Sequence, residues 1–398
     1  MHVKALMVGV VLNFMVSSFA WSDWAETVSE AKNQTVYFNA WGGSEVINDY
    51  LEWARHEVRS RYQIDLRHVK VADTSDVVAR VLAEQAAGRD QAGSVDLVWI
   101  NGDNFRAMQA QGLLQAPWTF ELPNYALLDH ANKPTLSIDF STPVNHQEAP
   151  WGMAQLTFMH DTARLPQPPQ SMHELLQLAR AQPGRITYPA LPSFYGTTFV
   201  KQAMLELAAD PEVFYQPISS VADVPAQVAP LWQFLDQLHA NAWQRGRSFP
   251  RDAQQMMQLL DTGEILVSLT FNPYDVSNAI VSGQLPPTVR PYIHEGGTIA
   301  NTHFVAIPFN ANAPAAAKVV ANFLMSPEAQ AHKADINVWG DPTVLDMNAL
   351  NGEQRAFFVE VSAGPAPLSD QDLANVRLEP HASWVSYLEQ QWQQRYAR

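Results

Sequence analysis

The stretch "FNAWGGSEV", Phe38 to Val46, joins a strand pattern to a helical one. Before it, the apolar residues Val36 and Phe38 alternate with their neighbours as in a strand, and after Ser44 apolar residues recur every three or four positions, as on one face of a helix. Two glycines bend the chain between the two patterns. In a sheet of parallel strands such a turn lies at the carboxyl end of a strand, where ligands bind beside helix N-termini.

The same pattern continues along the first half of the chain. "DLRHVKV" reads as a strand, a helix begins at Asp73, Thr74 or Ser75, and "SVDLVWINGDNF" reads as a buried strand that ends in a Gly-Asp turn. This succession predicts parallel βαβ units with right-handed crossovers. The second half has strand and helix patterns of its own in "GRITYPA", "SFYGTTFVKQAMLELA" and "GEILVSLTFNPYDVSNAIVSG".

A chain of 398 residues exceeds the usual size of one domain, so two lobes are expected. A strand from Met153 to Met159 is predicted to lead from the first lobe to the second, and a strand in "NTHFVAIPFNAN" to lead back. The predicted division assigns 1–20 to a signal peptide, 34–152 with 303–340 to the first lobe, and 153–302 with 341–398 to the second.

The N-terminus has the form of an export signal. Lys4 precedes an apolar run, and Ser18-Phe19-Ala20 has the small-x-small form of a signal-peptidase site, so cleavage near Ala20 and a periplasmic location are expected. The alternative is a membrane anchor, but the apolar run is shorter than the ~20 residues that a spanning helix needs.

Composition narrows the classes of partner. The formal charge of −15 repels phosphate backbones and anionic membrane surfaces, so no nucleic-acid partner is expected. With 0 cysteines, disulfides, thiolate metal sites and cysteine nucleophiles are excluded. The 12 Trp, 11 Tyr and 18 Phe favour aromatic contact surfaces, although most rings in a protein fill its core.

Four predicted strand ends carry an aromatic residue beside small polar ones. Together with one residue of the returning strand they form the predicted ligand site: Trp41, Gly42, Gly43, Ser44, Trp99, Asn101, Gly102, Tyr195, Gly196, Thr197, Asn272, Tyr274, Asp275 and Asn301. Such groups from both halves are typical of a cleft that stacks a ring and satisfies its edges by hydrogen bonds. Each segment alone is equally compatible with a turn or a core residue, and Ser44 could cap a helix instead of binding a ligand.

Catalytic motifs are missing from the sequence, which has no nucleophile elbow, zinc-protease motif or phosphate-binding loop. No catalytic residue, metal site or cofactor is therefore expected. An exported hydrolase using Ser44, His303 and Asp275 is one alternative, but their spacing does not support it. A structural or receptor-interacting exported protein is another.

Several segments resemble the extracytoplasmic solute-binding proteins of ABC importers, namely "VYFNAWGGSEVINDYLEWA", "VDLVWINGDNF", "ITYPALPSFYGTTFVKQAML" and "NTHFVAIPFNANAPAAAKVVANFLMSPEAQ". The chain is most similar to the two-lobed class that includes thiamine, ferric-iron, polyamine and maltose binders, and within it to a proteobacterial branch of substrate-binding proteins. The resemblance implies the periplasmic-binding-protein type II fold, in which two lobes, each a mixed sheet flanked by helices, are joined by crossing hinge strands. It also implies a small-molecule ligand and inner-membrane permease subunits as partners, and a monomer.

The resemblance does not specify the ligand. Iron-binding members carry adjacent tyrosines, and this chain has no Tyr-Tyr pair. The negative charge and the aromatic strand ends favour a cationic or aromatic ligand such as a thiamine-like molecule. A sugar or a metal chelate remains an alternative. Trp41 and Tyr195, one from each lobe, are expected to stack the ligand.

Overall fold

The protein is described by a computed structural model that covers residues 24–397. The predicted signal peptide and its cleavage site lie outside these residues. The strands are β1 Thr35–Trp41, β2 Asp65–Val71, β3 Leu97–Ile100, β4 Ile138–Asp139, β5 Thr142–Pro143, β6 Glu148–Gln155, β7 Thr157–Asp161, β8 Val267–Thr270, β9 Val289–Tyr292, β10 Thr298–Ala306 and β11 Val376–Arg377. The α-helices are α1 Glu45–Tyr62, α2 Thr74–Ala86, α3 Gly102–Ala110, α4 Met172–Ala181, α5 Phe194–Leu207, α6 Val224–Asn241, α7 Ala253–Asp261, α8 Asp275–Val281, α9 Pro314–Leu324, α10 Pro327–Ala334, α11 Gly352–Ala356, α12 Asp370–Ala374 and α13 Ser383–Tyr396.

The first lobe is built on a six-stranded mixed sheet with the order β2-β1-β3-β10-β11, in which β6 also pairs with β10. β1 pairs in parallel with β2 and β3, as predicted, and β10 runs antiparallel to both β3 and β6. The strand and helix patterns around the first turn are confirmed, because Ser44 caps α1 and the helix buries its apolar face, including Leu51 and Val58. The carboxyl ends of β1 and β3 thus lie side by side at one edge of this sheet.

The second lobe contains a three-stranded sheet, β8-β7-β9, in which both pairings are antiparallel. The mixed pairing expected in both lobes is therefore found in the first only. Helices α4 to α7 pack around this sheet, and the lobe has its own apolar core, which includes Phe158, Phe199 and Leu235. Two further apolar clusters cover the two faces of the first sheet.

The chain crosses between the lobes three times. Of the predicted crossing strand, residues up to Gln155 belong to β6 in the first sheet and residues from Thr157 to β7 in the second. The return lies between Tyr292 of β9 and Thr298 of β10, earlier than the predicted boundary at 303.

A third crossing follows in the C-terminal part. Val344, Leu345 and Leu350 pack into the first lobe, contrary to the prediction that 341–398 belongs to the second. Their apolar side chains cover the core beside β1, so the chain leaves the first lobe only after Leu350. Downstream, Trp384, Leu388 and Trp392 of α13 are buried in the second lobe, on one helical face as predicted. Within residues 24–397 no helix is long and apolar enough to span a membrane.

Candidate functional site

The turn after β1 places the Trp41 ring over its own glycines. The Trp41 side chain is 43% exposed, and a Cβ on Gly43 would collide with its ring. A Cβ on Gly42 would lie 2.6 Å from the Cβ of Lys70 on the neighbouring strand. Gly42 therefore requires glycine, whereas a side chain at Gly43 would displace the Trp41 ring. The turn presents an aromatic face to solvent at the end of the strand.

Trp99, predicted at the end of β3, points into the first lobe instead. Its ring meets Trp151 and His303 edge-on, with centroid distances of 5.0 Å and 5.2 Å. Side chains alternate between the two faces of a strand, so the residue next to the strand end faces the core. Trp99 therefore belongs to an aromatic cluster inside the lobe.

The turn after β3 is occupied by a neighbouring carboxylate. Asn101 precedes α3, but its side chain does not cap the helix. Gly102 has φ +58°, and its backbone N–H donates to Oδ2 of Asp139 at 2.6 Å. Burial raises the pKa of Asp139 well above its usual value, although this hydrogen bond acts against the rise. Asn101 is thus the polar side chain that this turn can offer to a ligand.

The strand predicted in "GRITYPA" is not formed, because no strand lies between β7 and β8. The start of α5, which follows this segment, carries two adjacent rings with different exposure. Phe194 is 46% exposed and meets Phe271 edge-on at 4.9 Å, whereas Tyr195 is only partly exposed and packs against the second core. Burial raises the pKa of Tyr195 to about 12, and the negative charges of Asp275 and Asp252 add to the rise. The sequence indicates an aromatic pair here, and the predicted site includes Tyr195, but the more exposed ring of the pair is that of Phe194.

Gly196 and Thr197 have structural partners within the second lobe. A Cβ on Gly196 would collide with the carbonyl oxygen of Pro189, so the close approach of backbone segments requires glycine there. The Thr197 hydroxyl donates to Oε1 of Glu389 at 2.8 Å. These two residues shape the turn and connect it to α13.

The end of β8 carries a partly buried carboxylate. Asn272 accepts a hydrogen bond from the backbone N–H of Tyr274 at 2.9 Å and so shapes the turn. Asp275 is partly buried and accepts a hydrogen bond from the Thr270 hydroxyl. Burial raises the pKa of Asp275 to about 6, against the effect of that hydrogen bond. At neutral pH a largely ionised carboxylate therefore lies close to Tyr195.

Asn301 belongs to a buried polar network that sequence reasoning missed. Its amide donates to Oε1 of Glu379 at 3.3 Å, while Lys201 of α5 donates to Oε2 at 2.6 Å. The Lys201 ammonium also lies 5.0 Å from the ring centroid of Phe140, and Ser141 donates to the Glu379 carbonyl oxygen at 2.9 Å. Since α5 is in the second lobe and Phe140 in the first, this network connects the two.

The alternative triad is not assembled. His303 Nε2 lies 3.1 Å from Asp341 Oδ1, and the same carboxylate receives the Lys333 ammonium. Asp275 is bonded to a threonine of its own turn, and the Ser44 hydroxyl accepts from the α1 backbone. The three side chains therefore have three separate sets of partners.

A cavity of about 410 Å³ lies beside the crossing strands. It is lined by β6 and β10 residues such as Met153 and Ala300, by Tyr274 after β8, and by segments of the first lobe and of the C-terminal part. Of the predicted site residues only Tyr274 lines it. Trp41, Asn101 and Tyr195 do not line it.

Two α/β lobes, joined by crossing strands and carrying aromatic and polar groups at their strand ends, define a two-lobed binding protein. Two solved structures with this architecture are similar to the chain. The TpPotD lipoprotein of Treponema pallidum matches with a TM-score of 0.66 and 14% identity over 92% of this chain and all of that one. A spermidine/putrescine ABC transporter substrate-binding protein of Streptococcus pneumoniae matches with a TM-score of 0.60 and 13% identity over 90% and 99% of the two chains.

Sequence comparison gives the family. Residues 53–352 match the family described as bacterial extracellular solute-binding protein. The chain is also 46% identical to Protein YnjB of Escherichia coli (strain K12) over 390 residues, which cover 98% of each protein. The chain therefore belongs to the bacterial extracellular solute-binding proteins, a family of transport proteins and not of enzymes, and has the type II two-lobed fold.

Proposed function

We propose that this protein captures a small organic cation, thiamine-like or otherwise ring-bearing, between its lobes and delivers it to the inner-membrane permease of an ABC importer. It acts in the periplasm as a monomer, and its lobes close on the solute as a hinge. The proposed cleft is formed by the turns after β1, β3 and β8, around Trp41, Asn101 and Asp275, and by the start of α5 with Phe194 and Tyr195.

The observation that carries this proposal is one exposed ring in each lobe, Trp41 at the end of β1 and Phe194 at the start of α5. Trp41 is 43% and Phe194 is 46% exposed, whereas large aromatic residues such as Trp118, Trp151 and Trp384 are fully buried. An exposed aromatic face attracts a cation through the ring quadrupole, and the attraction strengthens when water is excluded. Closure of the lobes would supply that exclusion.

The charge of the second lobe's turn favours a cation over a neutral solute. Asp275 is partly buried, and none of the ion pairs formed within residues 24–397 includes it. A buried carboxylate without a counter-charge is costly, and a bound cation would supply the missing partner. The Streptococcus pneumoniae protein of the same fold is named for spermidine and putrescine.

Titration calorimetry tests the ligand class. Protein purified from periplasm is unfolded in urea to release any bound solute, refolded, and titrated with thiamine, spermidine and maltose. We expect saturable binding of at least one cation and none of maltose. Maltose binding without cation binding would reject the proposal in favour of a sugar. Mass spectrometry of molecules released from the native protein then identifies the solute.

A further inference from the structure

An arginine-rich turn follows α6 on the surface of the second lobe. Residues 240–248 form one wall of a pocket of about 690 Å³, and residues 183–184, which follow α4, form another. The ionisable side chains that line this pocket are Arg245 and Arg247, and none of the lining residues is acidic. In a chain of formal charge −15, a pocket lined by positive charge alone stands out and indicates a preference for anions.

The two guanidinium groups are free to meet a ligand. Arg245 and Arg247 are exposed, and no hydrogen bond, ion pair or ring contact within residues 24–397 involves either guanidinium. Arg61, by contrast, is paired with both Glu57 and Glu328. A planar guanidinium presents its N–H donors as a fork that matches the oxygens of a carboxylate or a phosphoryl group, so two of them together fit a dianion.

The backbone of the turn has an unfavourable conformation. Gln244 and Arg245 have φ +51° and +56°, in the left-handed region, and Gly246 follows with φ +62°. A residue with a Cβ adopts this conformation at a cost in free energy, and such residues cluster at binding sites, where the surrounding structure holds them in place. Here the conformation turns the chain so that Arg245 and Arg247 line the same pocket.

Hydrogen bonds fix both walls before any ligand binds. The backbone N–H of Trp243 donates to the carbonyl oxygen of Ile186 at 2.8 Å, and its indole Nε1–H donates to Oε2 of Glu264 at 3.1 Å. The backbone N–H of Gly184 donates to the carbonyl oxygen of Asn241 at 2.8 Å and so joins the two walls. The pocket is therefore preformed, and a ligand does not have to order it.

The pocket and the proposed solute cleft lie at opposite ends of β8. Glu264, which binds the Trp243 indole, precedes the strand, whereas Asp275 of the cleft follows it. None of the residues proposed for the cleft lines the pocket. A ligand in this pocket therefore does not touch the solute, and the argument for it does not depend on which solute the cleft takes.

We infer that this pocket binds a small organic phosphate, with the phosphoryl group between Arg245 and Arg247 and the organic part against Ala240 and Trp243. The volume of about 690 Å³ falls within the ~300–1,000 Å³ usual for small-molecule pockets and exceeds what inorganic phosphate fills. A lipid headgroup carries the same phosphoryl chemistry, but the formal charge of −15 repels an anionic bilayer, so the ligand is a soluble one.

The site is tested with phenyl phosphate as the probe and phenol as its uncharged counterpart, followed by NMR and calorimetry on the full mature protein in a phosphate-free buffer. We expect saturable binding of phenyl phosphate and at least fivefold weaker binding of phenol. The double variant Arg245→Ala with Arg247→Ala should weaken phenyl phosphate binding at least tenfold. Its unfolding temperature should match that of the parent, because both side chains are exposed.

Arg251→Ala is the matched control. Arg251 is exposed and close in sequence but does not line the pocket, so its loss should change the Kd of phenyl phosphate less than twofold. Unchanged binding in the double variant, or an equal loss in Arg251→Ala, would overturn the site. The double variant should also bind the cleft's cation with the parent's affinity, and a parallel loss there would overturn the separation of the two sites.

Sedimentation with phosphatidylglycerol vesicles tests a lipid as the source of the phosphoryl group. We expect the protein to stay in the supernatant, as it should with vesicles of phosphatidylcholine. Sedimentation with phosphatidylglycerol vesicles in the absence of phenyl phosphate binding would overturn the soluble ligand.

Discussion

Two buried lysine–carboxylate pairs use the same chemistry in different places. Lys333 and Asp341 both belong to the first lobe, where His303 shares the carboxylate. Lys201 of α5 instead meets Glu379 of the C-terminal segment, beside Phe140 of the first lobe. The first pair therefore stabilises one lobe, whereas the second also depends on how the two lobes sit against each other.

This difference shows that burial and pairing alone do not determine whether an ion pair stabilises one lobe or also holds the two lobes together. Both lysines are almost fully inaccessible, and both carboxylates have a second side-chain partner, His303 or Asn301. Only the position in the fold separates them. Substitutions should therefore give a loss of stability in one case, and a loss of stability together with a change in lobe closure in the other.

The largest expected effect is that of Lys333→Met. It leaves Asp341 buried without its cation and should lower the free energy of unfolding by about 3–5 kcal/mol. Urea denaturation measures the loss. The control is Lys318→Met, which breaks the more exposed pair with Glu121 and should cost less than about 1 kcal/mol. Equal losses in the two variants would show that Lys333 contributes no more than a surface lysine.

Lys201→Met should lower the free energy of unfolding somewhat less, by about 3 kcal/mol, because Asn301 still donates to Glu379. It should also loosen the contact between lobes, so small-angle scattering of the unliganded variant should give a larger radius of gyration than that of the parent. The double variant Lys201→Met with Glu379→Gln removes the stranded charge and should recover part of the stability. A parent-like radius in the single variant would mean that the pair does not influence closure.

Trp41→Ala should weaken solute binding by about three- to thirtyfold with the fold intact, because one stacking or cation–π contact contributes roughly 0.5–2 kcal/mol. Phe120→Ala is the matched control, since Phe120 is also exposed but lies away from the strand ends. Calorimetry with the identified solute compares the two. If both variants bind the solute like the parent, the Trp41 ring only stabilises the turn after β1 and does not contact the solute.

The smallest predicted effect concerns pH. Because burial raises the pKa of Asp275 to about 6, its carboxylate is mostly ionised at pH 7 and mostly protonated at pH 5. Cation affinity should therefore fall by up to about tenfold from pH 7 to pH 5. In Asp275→Asn this dependence should disappear. A parent protein whose affinity is constant over this range would exclude Asp275 as the counter-charge.

Much of the first lobe could be predicted, because local patterns determine it. The alternation in β1, the cap at Ser44 and the apolar face of α1 are short-range features. The points where the chain crosses between the lobes were harder to predict from the sequence. Residues 153–159 form one nearly continuous buried run, so nothing in the pattern marks Leu156, where the chain passes from one sheet to the other. The third crossing includes a strand of two residues, too short for periodicity to reveal.

The site was predictable only as a set of turns. Phe194 and Tyr195 are neighbours, and successive residues of a helix point about 100° apart, so the exact rotation of α5 decides which ring is exposed. Lys201 and Glu379 are 178 residues apart and each is an ordinary charged residue in its own segment. Only the fold brings them together, which is why sequence reasoning found Asn301 without its partners.

The ends of the described chain belong to different lobes. Trp24 packs against the first-lobe core, and Tyr396 packs against the second. Fluorescent proteins joined beside Trp24 and beside Tyr396 would therefore be attached to different lobes, and energy transfer between them would change if the lobes closed. Fusions at the two ends of the described chain would thus report on the solute without an insertion into either lobe.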